Sequence, residues 1–347
     1  MVKEKTQKIK PKYSIWQNVC FMVQTAWNTH KRVLLMCVVI AAIQVALNLA
    51  QLYVTPEILE KVEQRSSIGE LLLTIGIFSA ALFLLQGAKA YCTEIRLPAE
   101  ADVRLAIIRK MTRKTAETSY PNVHDPKILK LAEQTEQATS TNSDAAEHIW
   151  RTLTELLTNM VGFIAYLFLL SNLNVFLILL VAVTSIVEFF VSKHINEWEY
   201  RHREEKEVYD KEISYFLEKP RQIQFAKDVR IFGLGTWLRD LRTKSMKMLT
   251  AFVARREKVY IWANVMDVAM TLLRNGIAYV YLIWQTLEQG LPASEFLLYF
   301  TAVSGFTVWV TGILSEFSQL HKESIGLSEV QEYLNIPEPF KFEDGIQ

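Results

Sequence analysis

The residues best placed to do chemistry in this chain are polar and charged groups set in apolar surroundings. Arg274 and Asn275 adjoin near the middle of the apolar run 260–287, and Asp267 lies two turns earlier on a similar helical face. Glu316 falls in the run 293–320, and Glu188 lies toward the end of 173–193. An ionisable side chain inside a helix of bilayer length is costly, so each calls for a partner or a function. The chemistry on offer is recognition: a guanidinium can grip a carboxylate with two hydrogen bonds, and an adjacent amide adds a donor and an acceptor. Folding 260–287 back on 293–320 about Gly290 sets Arg274 opposite Phe306 and sets Glu316 opposite residue 264, so Glu316 matches the depth of Asp267 and not that of Arg274. Arg274 is left with Gln44, Asn48 or Asn159, with water, or with an acidic group on a bound molecule. Asp267 and Glu316 read as hydrated charges nearer the cytosolic interface.

Aromatic residues crowd the same two runs, among them Tyr279, Trp284, Phe300, Phe306 and Trp309. An apolar, polarizable wall carrying few polar groups suits peptides or amphipathic small molecules. Arg274, Asn275, Phe306 and Trp309 are the candidate contacts for such a ligand. Gly305 and Gly312, with Thr301, predict close helix approach in the last run.

Other chemistries find no residues to carry them. There is no Gly-x-x-x-x-Gly-Lys-Ser/Thr loop to cradle phosphates; "GLGTWL" at 233–238 has two glycines, no following Lys-Ser/Thr, and a charged helical setting. No catalytic residue is assigned. His30, His124, His148, His194, His202 and His321 show no i, i+4 pairing and no adjacent cysteine, so no metal site is expected. Cys20, Cys37 and Cys92 are odd in number and form no CxxC pair; they read as packing residues. The basic segments are balanced by acidic neighbours and lack interleaved aromatics, which argues against nucleic acid as a partner.

The elements that must hold these groups are helices in a bilayer. Half of the 347 residues are hydrophobic, yet 38 basic and 37 acidic residues remain, and the apolar residues gather in blocks that reach the roughly 20 residues a spanning helix needs. Six spans are read, at 33–54, 69–92, 149–171, 173–193, 260–287 and 293–320. The opening "MVKEKTQKIKPK" is basic and polar, unlike a cleavable signal, so the N-terminus is expected in the cytosol. Residues 14–30 are too short and polar to span and are predicted as an interfacial helix on the cytosolic face. Lys61 and Arg65 are the only basic residues in the three short connections, whereas the segments after spans two and four are rich in Arg and Lys; these face the cytosol, and both termini with them.

Those two cytosolic segments of roughly 55–65 residues have helix-forming composition. Each flanking span is expected to continue as helix, giving two long hairpins with turns at their tips. At the first tip, near 119–138, Asp125 is a predicted N-cap with Pro126 at the first helical position. At the second, near 221–241, Lys219-Pro220 breaks the descending helix, and a new helix from about Gln224 puts Ile231, Leu234, Leu238 and Leu241 on one stripe.

Six spans, an elbow helix, hairpins after spans two and four, and the phrase Ala226-Lys227-Asp228-Val229-Arg230-Ile231-Phe232-Gly233 together resemble the transmembrane domain of an ATP-binding-cassette exporter, whose usual pattern has Glu where Asp228 stands. The stretch "LSEVQEYLNIPEP", with Tyr333 and Leu334, is similar to the exit toward that family's ATPase domain. The resemblance covers nearly the whole chain. It implies an all-α polytopic fold: an N-terminal segment and elbow over 1–32, a six-helix membrane domain over 33–322, and a linker over 323–347. It also implies that the tips are coupling helices, with Asn122, Asp125, Lys227, Asp228, Arg230, Ile231 and Phe232 at or near the contact with an ATPase domain. Arg274, Asn275, Phe306 and Trp309 become pathway residues for an exported peptide or amphipathic small molecule.

ATP and Mg are implied for that ATPase domain and no cofactor for this chain. The domain is expected beyond residue 347 or on another polypeptide. A second membrane half, identical or not, is implied as partner, in the plasma (inner) membrane. A second reading stays open, an ATPase-free, proton-driven peptide transporter of the same membrane fold, for which Asp267, Glu316 or Glu188 would have to titrate. A third is a non-transporting structural subunit.

Overall fold

A computed structural model describes residues 12–171 and 223–339 together with scattered positions between 183 and 215. Every regular element among them is helical. In chain order these are α1 (Ile15–Thr29), α2 (Arg32–Glu63), α3 (Ile68–Glu117), α4 (Tyr120–His124), α5 (Pro126–Gln137), α6 (Ala145–Ser171), α7 (Ile223–Ile231), α8 (Gly235–Gln289) and α9 (Ala293–Leu334). The chain divides into two compact units, Met1–Ile178 with Ala278–Gln347, and Leu179–Ile277.

Local chemistry accounts for the helix ends. Ser14 opens α1 with a capping box: its hydroxyl accepts from the Gln17 N–H while the Gln17 side chain accepts from the Ser14 N–H. Ser67 caps α3 by accepting from the Glu70 N–H at 3.3 Å. Asp125 caps α5 as expected, accepting from the Lys127 N–H at 2.8 Å with Pro126 behind it. Between α8 and α9 the backbone turns at Gly290, φ +72°, a left-handed conformation that glycine adopts without strain. Pro292 gives α9 no side-chain cap; Glu63 at the end of α2 replaces it, accepting from the Ala293 N–H at 3.1 Å and from the Ser294 hydroxyl.

Among the described residues four helices are long and apolar enough to cross a membrane: α2, α3, α9 and the portion of α6 from Ala145 to Leu169. Large apolar side chains along α3, such as Leu72, Leu73, Phe83 and Leu84, stand exposed. A run of that kind needs lipid or protein to cover it. The chain is a membrane protein on these grounds. The predicted run 260–287 lies within the continuous helix α8, yet α8 does not join the four: Asp267, Arg274, Asn275 and Gln285 dilute its apolar character. The run 173–193 falls for the most part outside the described residues, as does Lys219-Pro220. The expected continuation of the second span into a long helix is observed in α3, which covers 50 residues, and α8 is one continuous helix of 55.

The first unit is built on two antiparallel pairs, α2 with α3 and α6 with α9. The α6–α9 seam keeps a single register over its length: His148 meets Glu323, Asn159 meets Gly312, Gly162 meets Trp309 and Tyr166 meets Gly305, each step up one helix matched by a step down the other. The core lies at the end of the unit where five helices converge, around Met22 and Ala26 of α1, Val33 and Cys37 of α2, Val103 and Ile107 of α3, Ile149 and Trp150 of α6, and Leu320, Leu327 and Val330 of α9. Thus α1 does more than lie on a surface. Its buried Asn18 donates to the Ser324 carbonyl at 2.9 Å and accepts from Gln331 at 2.6 Å, locking it to α9, while Trp16 and Trp27 on its other side are exposed as an interfacial helix requires.

The seam depends on small residues. A methyl group added at Gly162 would lie 2.6 Å from the Trp309 ring, and one at Gly312 would lie 2.6 Å from the Asn159 amide. Gly162→Ala and Gly312→Ala are each expected to destabilise the protein by about 1–3 kcal/mol, because the neighbour must move. Gly76 and Gly87 of α3 have nothing within 4 Å of such a methyl, so Gly76→Ala should be neutral or slightly stabilising. Melting curves in detergent micelles check both.

In the second unit the arms of a hairpin are tied by Arg255 with Glu205, by the Ser245 hydroxyl donating to Glu212 at 2.9 Å, and by Trp198 and Tyr209 against the buried Phe252.

Candidate functional site

At the second hairpin tip the expected single helix is two. The helix that opens at Ile223 ends at Ile231, and α8 starts only at Gly235. The cause is Gly233, whose φ of +62° is left-handed. The Leu234 N–H bonds back to the Val229 carbonyl at 3.0 Å and the Gly233 N–H to the Arg230 carbonyl at 3.4 Å, the hydrogen-bond pattern of a Schellman stop. The predicted stripe is therefore split. Leu234, Leu238 and Leu241 are half-buried, whereas Ile231 and Phe232 at the break are 63% and 70% exposed. Lys227, Asp228 and Arg230 are exposed along α7. Two large apolar side chains standing out between charges form a compact projecting patch.

The first tip is organised around Glu338, a residue the sequence reading did not single out. Its carboxylate accepts from the Ser119 N–H and hydroxyl, both at 2.7 Å, from the Thr118 hydroxyl at 3.1 Å and from the Asn122 amide at 3.3 Å, and it pairs with the Lys114 ammonium. Asn122 also donates to the Pro337 carbonyl at 3.2 Å. Asn122 is buried, so it acts by anchoring the tip to the segment that leaves α9, and the side chains offered outward are Tyr120, Val123 and Leu129. Asp125 is half-buried and occupied as the α5 cap. Tyr333 adds a bond to the Thr115 hydroxyl at 2.6 Å. No local signal marks Glu338, because its partners are more than 200 residues away in sequence.

Partial burial pushes the Glu338 carboxyl up, but the Lys114 ammonium and the Ser119 and Thr118 donors outweigh it and hold it down at about 2, against an ordinary 4.5. A carboxylate with a depressed folded-state value stabilises above its unfolded value and loses that contribution as pH falls. Relative to Glu338→Gln, the wild type is expected to be more stable by on the order of 1–2 kcal/mol at pH 7, after allowance for solvent screening. The advantage should persist down to about 4.5 and vanish toward pH 2, as read from unfolding at several pH values.

Between the two helix pairs of the first unit lies a cavity of about 850 Å³. On α2 its wall carries Gln44, Asn48 and Gln51, one helical stripe; on α3, Lys89, Thr93, Arg96 and Glu100, another. Trp309 lines it from α9, with Tyr166 of α6 edge-on at 5.5 Å. Phe306 is buried in the α6–α9 seam against Phe163 at 4.8 Å. Arg274 and Asn275 belong to the second unit; Arg274 is fully buried and donates to the Thr271 hydroxyl at 3.2 Å, and Asn275 is half-buried. The polar stripes follow i, i+4, i+7 spacings at 44, 48, 51 and 89, 93, 96, and of these residues the sequence reading names only Gln44 and Asn48.

Toward the core the cavity ends in ion pairs: Arg96 with Glu100 at 2.8 Å, Glu147 with Arg104 at 2.9 Å, and Arg151 with Glu155 at 2.9 Å. His148 donates or accepts at 2.6 Å with Glu323, which also accepts from the Thr152 hydroxyl. Such an arrangement can hold and orient a polar or charged molecule; it offers no nucleophile with an adjacent base. Comparison with protein-family models gives no match, and comparison with curated proteins gives none.

Proposed function

We propose that this chain is the membrane-spanning, cargo-translocating part of an ATP-driven exporter of the ATP-binding-cassette type, with six spans, moving a peptide or amphipathic small molecule out of the cytosol by alternating access. The observation that carries the reading is the second hairpin tip. Ile231 and Phe232 project from a charged helix that stops short at Gly233, a shape suited to a groove on a partner domain. Four long apolar helices, extensions of α3 and α8 beyond bilayer length, and a polar-striped cavity between helix pairs agree with it. Lys227, Asp228 and Arg230 contact the rim of that groove. ATP and Mg are bound by the partner ATPase, since this chain offers no phosphate-cradling loop. The chain works as one half of a homodimer or heterodimer in the plasma membrane, with the hairpin tips in the cytosol.

The test is purification from native membranes, identification of associated chains by mass spectrometry, and an ATP hydrolysis assay. A co-purifying ATPase whose turnover depends on this chain is the expected result. An ATPase-free dimer that moves peptide along a proton gradient would overturn the reading in favour of proton-driven transport.

A further inference from the structure

Three carboxylates and three basic side chains, Lys89, Arg96 and Arg151, line the cavity, but Glu147 takes its cation, Arg104, from outside the lining. Each of its carboxylates has a cation: Glu100 has Arg96, Glu155 has Arg151, and Glu147 has Arg104. His148 is engaged by Glu323. Lys89 is different, since it is half-buried in the cavity wall near the end of the apolar run 69–92 of α3, and its ammonium makes no hydrogen bond or ion pair among the described residues. A lysine in such a position costs free energy unless something answers its charge.

What surrounds Lys89 narrows the answer. Antiparallel packing of α2 on α3 about the turn at 64–67 brings Gln44 to about the level of Lys89, counting equal helical rises from the turn. The Gln44 amide donates to Asn48 at 3.1 Å, while its own carbonyl oxygen is buried and has no donor among the described residues. Beside it the Asn48 and Gln51 amides and the Lys89 ammonium line the same side of the cavity. The opposite wall is aromatic, with Trp309 and Tyr166 kept close by Gly305. The volume is that of a ligand of several residues.

We propose that the cavity binds a short apolar peptide through its free C-terminal carboxylate, which pairs with the Lys89 ammonium. The backbone amides of the peptide meet Gln44, Asn48 and Gln51, and an apolar side chain packs on Trp309 and Tyr166. This names the cargo class of the exporter reading and rests on it for the sense of transport, but binding itself does not depend on ATP.

The experiment is calorimetric titration of the full chain in lipid nanodiscs, with empty nanodiscs subtracted. The probes are an N-acetylated Ala-Leu-Phe-Leu peptide with a free C-terminus and its C-terminal amide. A charge-assisted bond makes the acid bind about tenfold to a hundredfold more tightly than the amide. Lys89→Gln brings the acid to the level of the amide and leaves the amide unchanged, and Lys89→Arg keeps a preference for the acid. Equal binding of the two peptides by the wild type, an undiminished preference in Lys89→Gln, or no binding of either peptide would overturn the proposal. A preference found in a chain that recruits no ATPase keeps the site and removes the exporter reading; an ATPase complex without the preference does the reverse.

Discussion

Phe232→Asp is expected to reduce ATP-driven transport by at least a hundredfold while leaving the fold intact. Phe232 is 70% exposed, at the point where α7 stops, so its replacement removes no internal packing; substitutions of that kind change stability by about 0.5 kcal/mol or less. In the exporter proposed above the same side chain would fill an apolar groove, where an unpaired carboxylate costs several kcal/mol. Each 1.4 kcal/mol is about a factor of ten in affinity, which sets the expected loss. Lys227→Ala, at the rim, should cost about 0–1 kcal/mol, since exposed charge pairs contribute little. The two variants are compared by melting temperature, by retention of the ATPase on affinity resin, and by ATP turnover. Full transport by a properly folded Phe232→Asp protein would remove this tip from the coupling path.

The largest expected loss of stability is in Arg96→Ala, at about 3–5 kcal/mol. Arg96 is buried, bridges to Glu100 at 2.8 Å and donates to the Thr154 hydroxyl at 2.9 Å, so it joins α3 to α6. Truncating it leaves Glu100, itself only 4% exposed, without its nearest cation, so the carboxyl must either take up a proton or stay as an uncompensated buried charge. Breaking one side of a buried pair is costly for this reason, whereas replacing both sides together costs far less. Arg96→Met with Glu100→Gln should therefore recover much of the loss, a coupling that a double-mutant cycle measures directly. The Arg96→Ala deficit should also shrink in acid, because protonating Glu100 removes the stranded charge. Equal deficits for the single and double variants would show that Arg96 acts by packing alone.

Much of the architecture could be read from residue order because it rests on local rules. Runs of apolar residues longer than a bilayer is thick, continued by Glu, Lys, Arg and Ala, dictate long helices, and α3 and α8 follow. Asp125-Pro126 dictates a helix start, and α5 begins there. The amphipathic stretch 14–30 dictates a helix, and α1 spans Ile15–Thr29. Where a local rule was outweighed by another, the prediction shifted: at 224–241 the apolar spacing favoured one helix, and the left-handed Gly233 made two.

Tertiary structure decided what periodicity cannot encode, namely which faces meet. The clasp of Glu338 by Lys114, Ser119 and Asn122 joins groups more than 200 residues apart, and no window of sequence contains both sides of it. The same holds for Asn18 on α9, for the single register of the α6–α9 seam, and for Phe306 entering that seam while Trp309 faces the cavity. It holds most of all for Lys89. Its neighbours along the chain mark it only as one more cation near the end of a span; that each carboxylate lining the cavity already has a cation is a property of the packed helices, because charge compensation acts across space and not along the chain.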